Sequence, residues 1–453
     1  MKTYANANAN ANANANANAN ANANASVAVP VAPQHKRALV AACIGNFIEY
    51  FDFVVYGYFA SVIAPLFFPS DDPAASLLLT FAVFAISYAS RPIGGLIFGH
   101  LGDRYGRKTP LAIAIMMIAG ATTMIGLMPT YQSIGIAAPI LLTVARLIQG
   151  ISVGGEYGGA TSFIAEYAPH NRRGFYTGWQ TFTIGLALLV GGGVASLITG
   201  TLTSEQLYAW GWRLPFLAGV PLGLIGLYLR LKLEETPHFT AAKVQQDVVK
   251  APLLVGLRKE WRPILIGMGL ISAPSACIYI YYIYMPTFLS KVLGFSLADA
   301  QRANLYSMVF YCALLPFLAL LSDFVGRKPL MLISALAIAV VTYPAFQMLD
   351  SQNFTQTVFA LCLMSLAFAP HSATALCAMS EIMPTSMRYT GLSVSLNIPV
   401  TLLGGTAPFL ATYFVARTGN PLAPSWIVIG AAVLTLFAVL AYKETLRTGL
   451  RAR

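Results

Sequence analysis

The sequence has little charge. Only 10% of its 453 residues are Asp, Glu, Lys or Arg, against about 25% in an ordinary soluble domain. So sparse a set cannot coat the surface of two or three water-facing domains. Cysteine and histidine are scarce as well, with five of each. Cys43, Cys277, Cys312, Cys362 and Cys377 sit in or beside apolar runs without metal-ligand spacing, so they read as small core residues. No His-Glu-x-x-His pair, phosphate loop or convergent Ser-His-Asp set occurs, which argues against a membrane enzyme and a metal site. The tails are too short or too simple for an appended signalling domain, which argues against a transport-dead sensor.

Apolar residues are abundant, at 57%. They gather in runs at about 39–66, 76–99, 111–128, 136–164, 177–200, 212–231, 263–289, 304–322, 329–348, 355–380, 390–416 and 424–442, each near the length that spans a bilayer. The expected fold is an all-α membrane protein with twelve transmembrane helices in two six-helix halves. The boundaries expected are a tail at 1–35, halves at 36–232 and 263–443, a polar linker at 233–262 and a second tail at 444–453. Residues 5–25 alternate Ala and Asn, with no bulky face to bury, and are expected to be disordered.

The formal charge is +11. The basic residues lie between apolar runs and form no single patch, so they read as topology signals rather than a nucleic-acid surface. With both termini cytoplasmic, most Lys and Arg fall on the cytoplasmic side. Arg213, Lys291, Arg302 and Arg417 fall outside, and Arg91 and Arg146 lie within spans.

The halves repeat each other. Asp103, Gly106, Arg107 and Lys108 recur at one constant offset as Asp323, Gly326, Arg327 and Lys328. Glu166, Pro169 and Arg173 recur as Glu381, Pro384 and Arg388 with the same spacing. Repeated halves around a central site are a common transporter design. Charges at helix ends in two registered copies suit ion pairs that hold one gate conformation and break in the other. Topology charges alone are the plainer reading of any one of them.

The loop Gly102 to Lys108 resembles the signature loop of the major facilitator superfamily. Within that superfamily, Gly45 to Phe53, Arg91-Pro92-Ile93-Gly94-Gly95, Arg146 to Gly150 with Gly154 to Gly159, and Trp210 to Phe216 resemble the metabolite:proton symporters. That family includes carriers of citrate, α-ketoglutarate, shikimate and proline or betaine. The resemblance covers about residues 36–443. It implies proton-coupled symport of a small organic solute, without a cofactor, by a monomer in a bacterial inner membrane. Phe81 to Phe84, Tyr131 to Gly135, Gly174 to Thr177 and Ser380 to Pro384 look closest to the citrate and α-ketoglutarate carriers. The long charged C-terminal extension of some osmolyte carriers is absent. A di- or tricarboxylate is therefore the first expectation, with a zwitterionic osmolyte or a shikimate-type acid as the alternative. A drug/proton antiporter is less consistent with two intramembrane arginines.

A charge inside a bilayer is costly and marks a functional position by default. The candidates are Glu49, Asp52, Arg91, Arg146 and Glu156. At 1.5 Å per residue, Asp52 lies about 20 Å and Arg146 about 15 Å into their spans, both near the midplane. Asp52 is the expected proton carrier, paired with Arg146. An anion that engages Arg146 removes that countercharge and favours protonation of Asp52. Glu49 is the runner-up, and a static ion pair is the plain alternative. Arg91 lies at the depth of Glu49 and reads equally as a structural partner or a substrate ligand. Gln149 is one turn from Arg146 and could donate to a substrate. Among the tyrosines of the seventh run, Tyr281 and Tyr282 are candidate substrate contacts. His371 is a further candidate, with helix packing the plainer role. Gln180 and Asn397 are weaker ones. Gly150, Gly154 and Gly158 give the fourth run a bare face for close helix packing.

Overall fold

Backbone groups in lipid can be satisfied only by one another, so apolar runs of this length fold as helices. The computed structural model describes residues 33–95, 97–98, 108–154, 156–231, 260–349, 353–384, 388–446 and 450–451. The Ala-Asn stretch, Asp103, Arg107 and nearly all of 233–262 lie outside them, as do the side chains of Lys108, Glu156 and Glu166. By its contacts the chain divides into residues 1–37 and one unit of residues 38–453.

Among the described residues twelve main helices follow in order. They are α1 (Pro33–Tyr58, continued past a 66° bend by Ala60–Phe67), α2 (Pro73–Gly95), α3 (Lys108–Leu127), α4 (Ala137–Ser162), α5 (Arg173–Thr201) and α6 (Gly219–Leu231). The second six are α7 (Trp261–Lys291), α8 (Leu297–Val325), α9 (Arg327–Leu349), α10 (Phe354–Ile382), α11 (Thr390–Thr418) and α12 (Ala423–Ala441). Among the described residues nine are long and apolar enough to cross a membrane unaided, and α1 makes ten if its bent pair is one span. The shorter passes are α3, with the apolar stretch Ala112–Leu127, and α6, with 13 described residues. No strand occurs among the described residues. Phe317, Phe324 and Val340 are each more than 70% exposed, as a lipid-facing belt requires and a water-facing one does not.

Polar residues set the helix ends. Asp72 caps α2 by accepting from Ala74 N–H, with Pro73 in the first turn. Ser296 and Asn353 cap α8 and α10 in the same way. Gly326, at φ 105°, turns α8 into α9 with no other linking residue. A Cβ there would lie 2.6 Å from Glu444 Oε2, so the glycine serves both the turn and the approach of that carboxylate.

The glycine stripe of α4 does bring helices close. A Cβ on Gly150 or Gly154 would sit 1.8 Å from the backbone oxygen of Ser87 or Arg91 in α2. A Cβ on Gly158 would meet Ser393 of α11 at 2.3 Å. The two halves meet along α2–α11, α5–α8 and α5–α10. Two π-helical turns, Ile278–Tyr284 in α7 and Val400–Gly405 in α11, touch where they do so. Such turns rotate the side chains that follow and concentrate at functional sites.

Candidate central binding site and inter-half latch

The charged residues of the first half converge. Arg146 Nη1 lies 3.9 Å from Asp52 Oδ2, and Arg91 Nη1 lies 3.7 Å from Glu49 Oε1. All four are at most 3% exposed. Both separations are too long for direct hydrogen bonds. A shorter path links the first pair. Arg146 Nη1 donates to Gln149 Oε1 at 2.9 Å, Gln149 Nε2 donates to Thr122 Oγ1 at 2.9 Å, and Thr122 Oγ1 lies 2.5 Å from Asp52 Oδ1. Thr122 has one proton and two acceptors in reach, Asp52 and the Ile118 carbonyl at 2.8 Å. A protonated Asp52 could itself donate to Thr122 and release that hydroxyl proton to Ile118.

Aromatic rings frame the guanidinium groups. Arg146 stacks on Tyr56, 3.6 Å from its centroid, and Arg91 stacks on Tyr88 at 4.0 Å. Phe53 stands between them, 5.6 Å from Arg146 and 4.5 Å from Arg91. Phe84 and Tyr279 extend the wall, with centroids 5.1 and 5.2 Å from that of Tyr88. The Tyr279 hydroxyl meets that of Tyr88 at 2.7 Å, which joins α7 to α2 across the halves. Several buried polar atoms here have no hydrogen-bond partner among the described residues: Nε and Nη2 of both arginines, both Glu49 oxygens and Asp52 Oδ2. Buried polar groups are rarely left so. The cluster is buried, charge-balanced and framed by aromatic rings, with donors and acceptors to spare.

A second cluster lies where basic residues crowd one end of the bundle. Arg173, at the start of α5, donates to Glu381 Oε1 of α10 at 3.0 Å. Arg327 reaches the same oxygen at 3.3 Å and Asp323 at 3.0 Å. Asp323 accepts from the N–H groups of Gly174 and Phe175 at 2.8 and 2.9 Å. A carboxylate of one half thus caps a helix N-terminus of the other, where the helix dipole favours it. Lys328 Nζ donates to the carbonyls of Leu440 and Tyr442, and Arg388 donates to those of Ser380 and Met383. Those contacts tie helix ends within the second half. Asp103 and Arg107 lie outside the described residues, as do the side chains of Lys108 and Glu166.

A model of the sugar (and other) transporter family matches residues 38–253 and 243–452. The glycine betaine/proline/ectoine/pipecolic acid transporter OusA of Dickeya dadantii is 38% identical over 419 residues, which is 90% of this chain and 83% of that one. The proline/betaine transporter of Escherichia coli K12 is 39% identical over 421 residues, 90% of this chain and 84% of its own. The chain belongs to the major facilitator superfamily. The solved xylose transporter XylE from E. coli, in a partially occluded inward-open conformation, superposes with a TM-score of 0.74 at 19% identity, covering 92% of this chain and 100% of that one. This supports the fold alone.

In this transporter Glu49, Asp52, Arg91, Arg146 and Gln149 come together. Tyr281 and Tyr282 do not join them. Their hydroxyls are bound to Thr342 of α9 at 2.6 Å and Ser365 of α10 at 2.9 Å. The tyrosines that face α2 are Tyr279 and Tyr284, the latter ring against ring with Phe81. His371 is held by backbone: Nε2 lies 2.7 Å from the Leu270 carbonyl and Nδ1 3.4 Å from that of Met331. Gln180 is fully buried with no hydrogen bond to either amide atom among the described residues, and Asn397 donates to the Gly154 carbonyl across the halves at 3.3 Å. Sequence reasoning did not single out Phe53, Tyr56, Tyr88 or Thr122, and it took Tyr279 only as one of the four tyrosines of the seventh run. A usable signal existed for Tyr88, three residues before Arg91 and so on the same helix face.

Proposed function

We propose that this transporter is a proton-coupled symporter that imports a zwitterionic osmolyte of the betaine or proline type. It works by alternating access, as a monomer in a bacterial inner membrane with both termini cytoplasmic. The observation that carries the reading is the buried, charge-balanced cluster. Two arginines face two carboxylates, so a net-neutral ligand enters without adding charge to a dry site. A di- or tricarboxylate would bring two or more negative charges and need as many compensating protons. The relatives' names point the same way, so the expectation of a citrate-type substrate gives way to its alternative.

The ligand carboxylate takes the open donors of Arg146 or Arg91, where planar guanidinium groups suit it. Its cationic end lies against the aromatic wall, as quaternary ammonium groups do in aromatic cages. Once a ligand carboxylate holds Arg146, Asp52 loses its countercharge and takes a proton from the outside, with Thr122 accepting the new hydrogen bond. The halves then rock about the cluster. The Arg173–Glu381 and Asp323–α5 contacts hold the cytoplasmic end closed in one state and break in the other. Asp52 gives its proton to the cytoplasm.

Uptake of labelled betaine, proline and citrate in a bacterial strain lacking these carriers tests the reading. Betaine or proline should accumulate, and a protonophore should abolish accumulation. Accumulation of citrate alone would overturn it.

A further inference from the structure

The end of the bundle opposite the latch holds a cavity of about 700 Å³, within the range of small-molecule pockets. Its walls come from both halves: the end of α1, the start of α2, the outer part of α7 and α11. Its lining is mainly apolar and carries four polar features. Lys291 lines it, is exposed, and makes no ion pair among the described residues. Asp72 lines it with Oδ1 engaged in capping α2 and Oδ2 in no hydrogen bond among the described residues. The hydroxyls of Ser61 and Thr287 belong to lining residues only 2% exposed, and neither has a hydrogen-bond partner among the described residues. Its inner boundary includes Tyr284, whose ring packs on Phe81 at 5.7 Å.

We propose that this cavity is a loading subsite, which holds the zwitterion before it passes the Tyr284–Phe81 contact to the central charged cluster. The inference rests on the substrate class proposed above. Lys291 takes the carboxylate, Asp72 attracts the cationic end, and the Ser61 and Thr287 hydroxyls satisfy the remaining carboxylate lone pairs. One charge of each sign suits a zwitterion and gives a simple anion or cation only half of the contacts. The subsite is built from both halves, so its shape depends on which end of the bundle is open, and it would release its ligand inward as the halves move.

The test uses the full chain in proteoliposomes with labelled betaine as probe. Lys291→Gln and Asp72→Asn are exposed changes, and Asn keeps the helix cap. Each should raise the KM for betaine about threefold, the scale of one exposed charge contact, and leave kcat within twofold. Equilibrium binding to Arg146→Gln should retain a weak component that is lost when Lys291→Gln is added. Unchanged KM in both single variants, together with no residual binding in Arg146→Gln, would overturn the subsite while wild-type betaine transport stands. A wild-type protein that neither binds nor transports betaine would overturn the substrate class and this inference together.

Discussion

Replacing Glu381 by Gln should open the latch end. Glu381 is 3% exposed and receives three groups: Arg173 at 3.0 Å, Arg327 at 3.3 Å and the Thr445 hydroxyl at 2.5 Å. Gln keeps the shape but loses the charge. Arg327 retains Asp323 at 3.0 Å, whereas Arg173 has no other carboxylate among the described residues. Breaking a buried pair costs about 3 kcal/mol at the low end, near two powers of ten in the ratio of closed to open states. The chain carries its own reporter. Cys377 is fully buried, 3.5 Å from Arg327 Nη2. In a variant that keeps Cys377 and replaces the other four cysteines, maleimide labelling in inside-out vesicles should run at least about tenfold faster with Glu381→Gln. Glu381→Asp should recover part of the protection. A labelling rate within twofold of the parent would refute the latch.

Other outcomes follow from the same geometry. Asp52→Asn should abolish concentrative uptake yet keep exchange of labelled for unlabelled solute, measured as counterflow, because it removes the proton carrier and leaves Arg146. Arg146→Lys cannot keep both the ring stack on Tyr56 and the Gln149 hydrogen bond; it should raise the KM for solute by about tenfold or more. Gly154→Ala should lower thermal stability in detergent, at a cost of about 1–3 kcal/mol or more, because its methyl would enter the α2 backbone. His371→Gln should reduce stability more than solute affinity, read as thermal unfolding beside KM, since both ring nitrogens face backbone carbonyls.

The helices were legible because lipid demands long apolar runs, and helix rise placed Asp52 and Arg146 at similar levels, where the structure has them 3.9 Å apart. The partnership of particular tyrosines was not legible. Periodicity assumes 3.6 residues per turn, and the π-helical turn Ile278–Tyr284 breaks that phase at the tyrosine cluster. Tyr281 and Tyr282 therefore turn into the second half, and Tyr279 reaches Tyr88. Thr122 carried no signal, as one Thr in an apolar run reads as a helix-backbone hydroxyl until Asp52 is placed beside it. The repeated Glu-Pro-Arg spacing marked Glu381 and Arg173, but a repeat cannot say that one copy's Glu meets the other copy's Arg. Four-residue resemblances such as Phe81 to Phe84 pointed to a carboxylate carrier. Those side chains pack in the aromatic wall and say little about ligand charge.

The most direct test of the central claim is proton movement on addition of solute. Wild-type protein in lightly buffered, sealed vesicles without an imposed gradient should alkalinise the medium when betaine or proline is added and not when citrate is. Asp52→Asn should give no alkalinisation while still exchanging solute. Equal alkalinisation by Asp52→Asn, or solute uptake by the wild type without any proton movement, would contradict the account.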